Sequence, residues 1–321
     1  MTTLDPEKLD RVKTVVVHEN CADGTASAIL IKDAFPGRPL DIRFMQYGTD
    51  AYRNLQPEPG MLFCDISPPA ETAQAFVDAG ALILDHHRTA KAVIDLFGAN
   101  GIFGDEKAHP GVCGAVLAYR HVWWPRVGSD PQSLFTDQFA QEFSILAGIR
   151  DTWQRHDPRW RDACVQVYVL DFIPNEMWLS KTLDQICASW ESEYKPLGEV
   201  IFTRNAKGID RAILGAHRFT TSKGTRVVTF DGLKQTSDAA EQLGDTADLI
   251  VGFMPVADDG QPKYLFSTRT RGTYDCARLA KAHGGGGHTK AAGFQVAIDP
   301  KAALNPYAFV EALVERHENQ P

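Results

Sequence analysis

The chain has 321 residues, and its 33 Lys and Arg against 41 Asp and Glu give a formal charge of −8. Hydrophobic residues are 44% and charged residues 23%, a globular mix at a length that suits two domains. These values exclude a disordered, collagen-like or low-complexity chain. They also disfavour coating of long nucleic acid by bulk positive charge, while leaving room for a short anionic substrate held by a local patch or by metal ions. No apolar run approaches the ~18 residues needed to span a bilayer; Leu249 to Val256 is only strand-length. The opening residues mix Asp5, Glu7 and Asp10 with Lys8 and Arg11, and no apolar signal core follows, so a cytoplasmic location is expected. Six cysteines (Cys21, Cys64, Cys113, Cys164, Cys187, Cys276) contain no C-x-x-C pair. Reduced, mostly buried thiols are expected, not a disulfide framework or a zinc ribbon.

In chain order, Thr14 to Val17 is a β-branched strand ending at His18, and Gly24 to Phe35 reads as a helix. Ile42 to Tyr47 and Met61 to Cys64 are further strands, the latter ending at Asp65. Ser67-Pro68 predicts a helix start, since Ser caps free N–H groups and Pro fits a first turn, with a stop at Gly80. Ala81 to Leu84 is a fourth strand, running into Asp85-His86-His87. This strand–helix alternation predicts a doubly wound parallel sheet, and apolar strands without alternation fit burial on both faces. From about Phe103 to Ser189 the pattern is mostly helical, and Trp190 to Asn205 is amphipathic. Beyond about 208 the style changes: a strand at Arg226 to Phe230, then a hairpin of Ala247 to Val256 and Tyr264 to Arg269 turning at Asp258-Asp259-Gly260. A helix at Tyr274 to His283, four glycines, a strand at Phe294 to Ile298 and a last helix to near His317 complete the chain. The expected architecture is α/β, with a first domain at 1–190, a helical linker at 191–208 and a smaller α/β domain at 209–321.

Three strands end in metal-type ligands: His18 with nearby Asp23, then Asp65, then Asp85-His86-His87. In a doubly wound sheet the carboxyl ends of the strands line one crevice, so these residues should converge. Asp151, within Gly148-Ile149-Arg150-Asp151-Thr152-Trp153, is a fourth candidate. A lone Asp at a strand end is usually a turn former or cap, and a lone His usually a satisfied polar residue. Several such ends pointing the same way are harder to explain as packing. Imidazoles and carboxylates crowded in one crevice repel and desolvate one another unless cations neutralise them. The oxygen-rich donor set leans towards Mn²⁺, with Mg²⁺ or Zn²⁺ as alternatives.

Asp85-His86-His87 also carries a resemblance. With His18-Glu19-Asn20-Cys21-Ala22-Asp23-Gly24, Cys64-Asp65-Ile66-Ser67 and Arg150-Asp151-Thr152-Trp153 in order, the chain resembles the DHH phosphoesterases. Phe266-Ser267-Thr268-Arg269, Gly284-Gly285-Gly286-Gly287-His288 and Ala291-Ala292-Gly293 resemble that family's C-terminal associated domain. The resemblance implies two divalent ions, often Mn²⁺. His18 would hold the first, Asp65 would bridge both, His86 and Asp151 would hold the second, and Asp23 would ligate one of them. It further implies that His87 contacts the phosphate or protonates the leaving oxygen, with Asp85 orienting an imidazole. Water held between two such ions becomes hydroxide near neutral pH and attacks phosphorus in line. One departure stands out: the family pattern H-x-x-x-D-x-D is met only by Asp23, five positions after His18, leaving Asn20 or Cys21 to complete the first site, or a weakly held first ion.

In the second domain, Gly284 to Gly287 lets backbone amides approach an anion with no Cβ in the way, and Arg269 and His288 add charge-assisted donors. Arg88, Arg271 and Lys290 are further phosphate neighbours by type, and Trp123, Trp124 and Trp153 read first as packing aromatics. The expectation is a metal-dependent phosphodiesterase with its cleft between the domains. It would release nucleoside monophosphates from short RNA or DNA oligonucleotides such as nano-RNA and dinucleotides. Some family members also take 3′-phosphoadenosine 5′-phosphate. Acidity and the absence of room for an added nucleic-acid module point to short substrates. The alternatives are a RecJ-like single-strand exonuclease, a cyclic-dinucleotide phosphodiesterase, or a metal-poor relative that binds nucleotides or a partner without cleaving. Pyrophosphatase relatives lack the glycine-rich motif and are set aside. A membrane role is not expected, and a homodimer is compatible with the reading.

Overall fold

The computed structural model describes residues 4–128, 134–233, 236–258, 261–298 and 305–319. The chain divides into two compact units, Met1–Phe202 and Thr203–Pro321. The division falls inside one continuous helix, Lys195–Leu214, which overlaps the expected linker at 191–208.

In the first unit, β1 (Thr14–His18), β2 (Asp41–Met45), β3 (Met61–Cys64), β4 (Leu82–Asp85) and β5 (Gly101–Phe103) form an all-parallel sheet in the order β2-β1-β3-β4-β5. Alternate residues of each apolar run serve opposite cores. Val15, Val17, Leu62, Cys64, Leu82 and Leu84 pack with Ala26 and Leu30 of helix Ala22–Asp33, Val116 of helix Gly114–Ala118, and Phe143 of helix Leu134–Asp151. Val16, Met61, Phe63 and Ile83 pack on the other face with Phe76, Ile94 and Phe97. Continuous apolar strands are therefore required here, because both faces are covered.

Two details differ from the sequence expectation. The short edge strand β5, just before the stretch expected to be helical, has no counterpart in the sequence expectation; three residues cannot display a period. The helix expected at Ser67-Pro68 begins only at Ala73 and ends before Gly80, whose φ of +77° closes it. Ser67 and Pro68 each precede a proline, which disfavours helical backbone at both. The Ser67 hydroxyl donates instead to Asp85 Oδ2 at 2.6 Å.

The second unit is a mixed sheet of β6 (His217–Thr220), β7 (Arg226–Asp231), β8 (Leu249–Asp258), β9 (Gln261–Arg269), β10 (Gly286–His288) and β11 (Ala291–Ala297), in the order β10-β11-β9-β8-β7-β6. Only the β7–β8 pair is parallel. Val227, Leu249, Val251 and Phe266 pack against helices Cys276–Ala282 and Pro306–Glu318. Val228, Phe230 and Ile250 pack on the opposite face with helix Thr236–Leu243 and with Ile209. The expected hairpin is β8–β9; Asp259 and Gly260 of its turn lie outside the described residues.

The glycine run is not a loop opening a helix, as anion cradles often are. It follows helix Cys276–Ala282, and Gly286 to His288 pair with Ala291 to Gly293 as β10. A Cβ at Gly285 would lie 2.2 Å from the Gly293 carbonyl oxygen, and Gly287 has a φ of +132° with Ala292 Cα 2.5 Å from where its Cβ would be. Close strand approach thus accounts for both glycines. All six cysteines are free, and four of them are buried.

Helix Ala22–Asp33, which carries Asp23, is anchored at its far end. Asp33 accepts the indole N–H of fully buried Trp123 at 2.9 Å and the backbone N–H of Leu183 at 2.9 Å. Asp33→Ala strands both donors, and we expect a loss of about 1–3 kcal/mol of stability, read from the urea midpoint of the first unfolding transition.

Candidate metal centre

The strand order reverses between β1 and β3, and a crevice opens outside their carboxyl ends at such a point. His18 is the last residue of β1, Asp65 follows β3 directly, and Asp85-His86-His87 closes β4. Asp23 lies in the first turn of helix Ala22–Asp33, and Asp151 is the last residue of helix Leu134–Asp151. The structure brings all seven sequence-predicted residues of this group together.

Asp65 is the shared member. Its Oδ2 lies 3.7 Å from His18 Nδ1 and accepts from Cys21 Sγ at 3.4 Å. Its Oδ1 lies 3.2 Å from His86 Nε2 and 4.0 Å from His87 Nδ1. His86 Nε2 is also 3.4 Å from Asp151 Oδ2 and 3.7 Å from Asp23 Oδ2. Among the described residues three groups could hold a cation: His18, Cys21 and Asp65; Asp23, His86 and Asp151; and Asp65, Asp85, His86 and His87, with Asp65 Oδ2 facing His18 and its Oδ1 facing His86. Asp23 therefore belongs with His86 and Asp151, which the sequence left open.

Each carboxylate is held in place by other groups. Asp23 accepts the backbone N–H groups of Gly114 and Ala115 at 2.7 Å each, at the start of helix Gly114–Ala118, where orphan donors favour an anion. Asp85, fully buried, accepts from Ser67 Oγ, from the His87 backbone N–H at 3.0 Å and from His87 Nδ1 at 2.7 Å. His87 Nε2 is left as that ring's free proton site. Asp151 sits at a helix C-terminus, where a carboxylate is disfavoured unless a positive group faces it.

Among the described residues, three other than glycine have left-handed backbone, Asn20 (φ +54°), Asp65 (+62°) and Trp153 (+58°), and each is one of these candidate ligands or lies within two positions of one. Such strain persists only where the surroundings over-determine it, as at functional sites. Trp153 is locked by Arg150, 4.3 Å above its ring, and by the edge of Trp160, so it packs as expected.

The charges are perturbed accordingly. Burial, then the charges of Asp65 and Asp151, push the Asp23 carboxyl well above the usual carboxylate range. Burial likewise raises Asp151, partly offset by His86. Burial works against ionised Asp65 too, but the imidazoles of His18 and His86 outweigh it and hold the carboxyl far below its ordinary value. Burial disfavours a charged His86, yet Asp65, Asp151 and Asp23 raise it to about 10. His87 rises to about 9 against its own burial because of Asp85.

The residues fit a divalent pair. His18 Nδ1 is buried without a hydrogen-bond partner, and its 3.7 Å separation from Asp65 Oδ2 is too long for a hydrogen bond. A cation between them would satisfy both. The remaining donors are carboxylate oxygens and imidazole nitrogens, which suit first-row divalent ions.

Sequence reasoning missed Gly114 and the role of Ser67. A Cβ at Gly114 would lie 2.4 Å from Asp65 Cβ and 3.0 Å from Asp23 Oδ2. Nothing in the local sequence marks it, because the residues it clears lie far off in the chain. In the second unit, Arg269 donates to Ser237 Oγ at 2.9 Å, Ser267 Oγ at 3.1 Å and the Thr268 carbonyl at 2.8 Å. Arg271 is paired with Glu241, Lys290 donates to the Gly272 carbonyl, and Arg88 is exposed. The side chain of His288 lies outside the described residues.

Solved structures share this architecture. The pGpG-specific phosphodiesterase PggH from Vibrio cholerae is 16% identical, with a TM-score of 0.56 over 94% of this chain and 99% of that one. The DHH domain of a member of the s1p family of ribosomal proteins is 12% identical (TM-score 0.58; 96% and 87% covered). The chain has the DHH fold. Exonuclease RecJ bound to manganese is a third DHH neighbour, 16% identical with a TM-score of 0.54 over 98% and 92% of the two chains. No family model matches the sequence, and no curated protein does. The resemblance read from the DHH motif is thus matched by the fold. Among the described residues no helix is long and apolar enough to cross a membrane.

Two outcomes follow for the metal centre. Gly114→Ala should weaken divalent-ion binding by about tenfold or more, since displaced carboxylates cost at least what lost outer partners cost; titration calorimetry measures it, with circular dichroism checking that the variant folds. Without metal, His86 is protonated up to about pH 10 and Asp23 holds its proton unusually high, whereas a ligand must be deprotonated. Metal binding at pH 7 should therefore release protons, and apparent affinity should rise with pH. Calorimetry in buffers of different ionisation enthalpy counts those protons; a count of zero would mean that the ions bypass His86.

Proposed function

We propose that the protein is a metal-dependent phosphodiesterase that hydrolyses short oligonucleotides, including nano-RNA and dinucleotides, to nucleoside monophosphates. The observation that carries this reading is the pair of ligand groups sharing buried Asp65, with an unpartnered His18 nitrogen in one of them. His18 and Asp65 would hold one ion, with Asp23, His86 and Asp151 around the other. Bound divalent ions, of which Mn²⁺ is our expectation, supply Lewis acidity that neutralises the phosphate and lowers the pKa of the attacking water.

The chain's own residues complete the chemistry. Asp85 fixes the His87 ring through Nδ1 and raises it to about 9, so His87 carries a proton on Nε2 at neutral pH. That proton goes to the leaving oxygen as the P–O bond breaks. Ser67 holds the second Asp85 oxygen and keeps the pair in register. In the second unit, Arg269 and the backbone of Gly284 to His288 would be donors for an anion. Three of the Arg269 hydrogen bonds are internal, and its Nη2 hydrogens remain for a ligand. The printed activities of PggH and RecJ, on a dinucleotide and as an exonuclease, support a phosphodiester substrate. The net charge of −8 favours a short one.

The test is a comparison of initial rates, with Mn²⁺, on 5′-labelled RNA of two, five and about twenty-four residues, with 3′-phosphoadenosine 5′-phosphate alongside. Rates should fall steeply with length; comparable or faster cleavage of the long strand would favour the RecJ-like exonuclease reading. Asp65→Asn should abolish both turnover and divalent binding. His87→Gln should lower kcat by about 10²–10⁴-fold with divalent binding retained. Divalent binding without hydrolysis of any substrate would favour a non-cleaving nucleotide-binding protein.

A further inference from the structure

We infer that Cys21 is a metal ligand, which makes the His18 site a nitrogen–sulfur–oxygen site selective for thiophilic divalent ions. The inference rests on the metal-centre reading above and adds a donor to it.

Cys21 occupies the N-cap position of helix Ala22–Asp33, with extended backbone (φ −131°, ψ 125°), yet its side chain caps nothing. Ser, Thr, Asp or Asn is favoured at that position for the sake of the helix. The thiol reaches Asp65 Oδ2 at 3.4 Å. Asn20, immediately before it, is held left-handed, at a cost the helix does not require.

The spacing is that of donors around one ion. Metal–ligand bonds of about 2.0–2.3 Å at tetrahedral angles separate donor atoms by about 3.4–3.6 Å. The observed separations are 3.4 Å for Cys21 Sγ to Asp65 Oδ2 and 3.7 Å for His18 Nδ1 to Asp65 Oδ2. The three donor atoms lie within 4.8 Å of one another, and His18 Nδ1 has no competing hydrogen bond. The other group, Asp23, His86 and Asp151, has no sulfur. The two sites therefore differ in softness: one favours Cd²⁺, Zn²⁺ or Co²⁺, the other oxygen-preferring ions such as Mn²⁺.

The experiment titrates full-length protein with Co²⁺ and then with Cd²⁺ and Mn²⁺, alone. Wild type should develop a near-ultraviolet sulfur-to-cobalt charge-transfer band. Cys21→Ser should lose that band, keep its circular dichroism, and bind Cd²⁺ about tenfold or more weakly while its Mn²⁺ affinity at the second group is unchanged. If Co²⁺ binds, by calorimetric stoichiometry and visible d–d bands, with no sulfur band, Cys21 is not a ligand and the metal centre stands without it. A band that survives Cys21→Ser also overturns the assignment and points to Cys64 or Cys113. If no divalent ion binds wild type, both this inference and the hydrolase reading fall.

Discussion

A fully buried carboxylate on a left-handed residue is the constraint around which the first unit is arranged. Asp65 has no solvent exposure and a φ of +62°. Burying an ionised carboxylate is prohibitive unless positive groups compensate it. His18 and His86 lie on its two oxygens, Cys21 donates to one of them, and Gly114 leaves room for its Cβ. Asp23, Asp85 and Asp151 crowd the same crevice. Asp85 is neutralised locally by Ser67 and His87. Burial first, then neighbouring carboxylates, raises the Asp23 and Asp151 carboxyls, a cost that cations would relieve.

This arrangement depends on sheet topology. Parallel strands place all their carboxyl ends at one edge, and the β2-β1-β3-β4-β5 order sets β1 and β3 side by side at the reversal. Cα register pairs Val17 with Cys64, so His18 and Asp65, the next residue of each strand, leave the sheet at the same level. Helices then complete the site from behind. Ala22–Asp33 delivers Asp23, Gly114–Ala118 offers its N-terminal amides to that carboxylate, and Leu134–Asp151 delivers Asp151. The two adjacent imidazoles differ in partners: His87 Nδ1 is 2.7 Å from Asp85, whereas His86 faces Asp65, Asp23 and Asp151.

Much of this was legible in the residues. Three apolar strands of the first sheet, β1, β3 and β4, read directly because burial on both faces leaves no polar interruptions, and each runs into a residue of the candidate site. The short strands β5, β6 and β10 did not read, because three or four residues carry no period and β10 consists largely of glycine. Ser67-Pro68 reads as a helix cap, since Ser before Pro is a cap signal wherever no stronger partner exists; Asp85 is that partner. The four glycines suggest an anion cradle, and two of them, Gly285 and Gly287, also let β10 lie against β11.

The sequence by itself determined the chemistry: which imidazoles and carboxylates end the strands, that a parallel sheet would gather them, and that Asp85-His86-His87 belongs to the DHH fold. Tertiary structure alone decided their division of labour. Asp23 joins His86 and Asp151, Cys21 turns towards His18, Asp85 serves His87, and Gly114 gives Asp65 its space. The physical reason is that ligand identity is a local property of side chains. Grouping depends on ångström-scale separations between segments that are dozens of residues apart, and those separations are set by sheet register and helix packing.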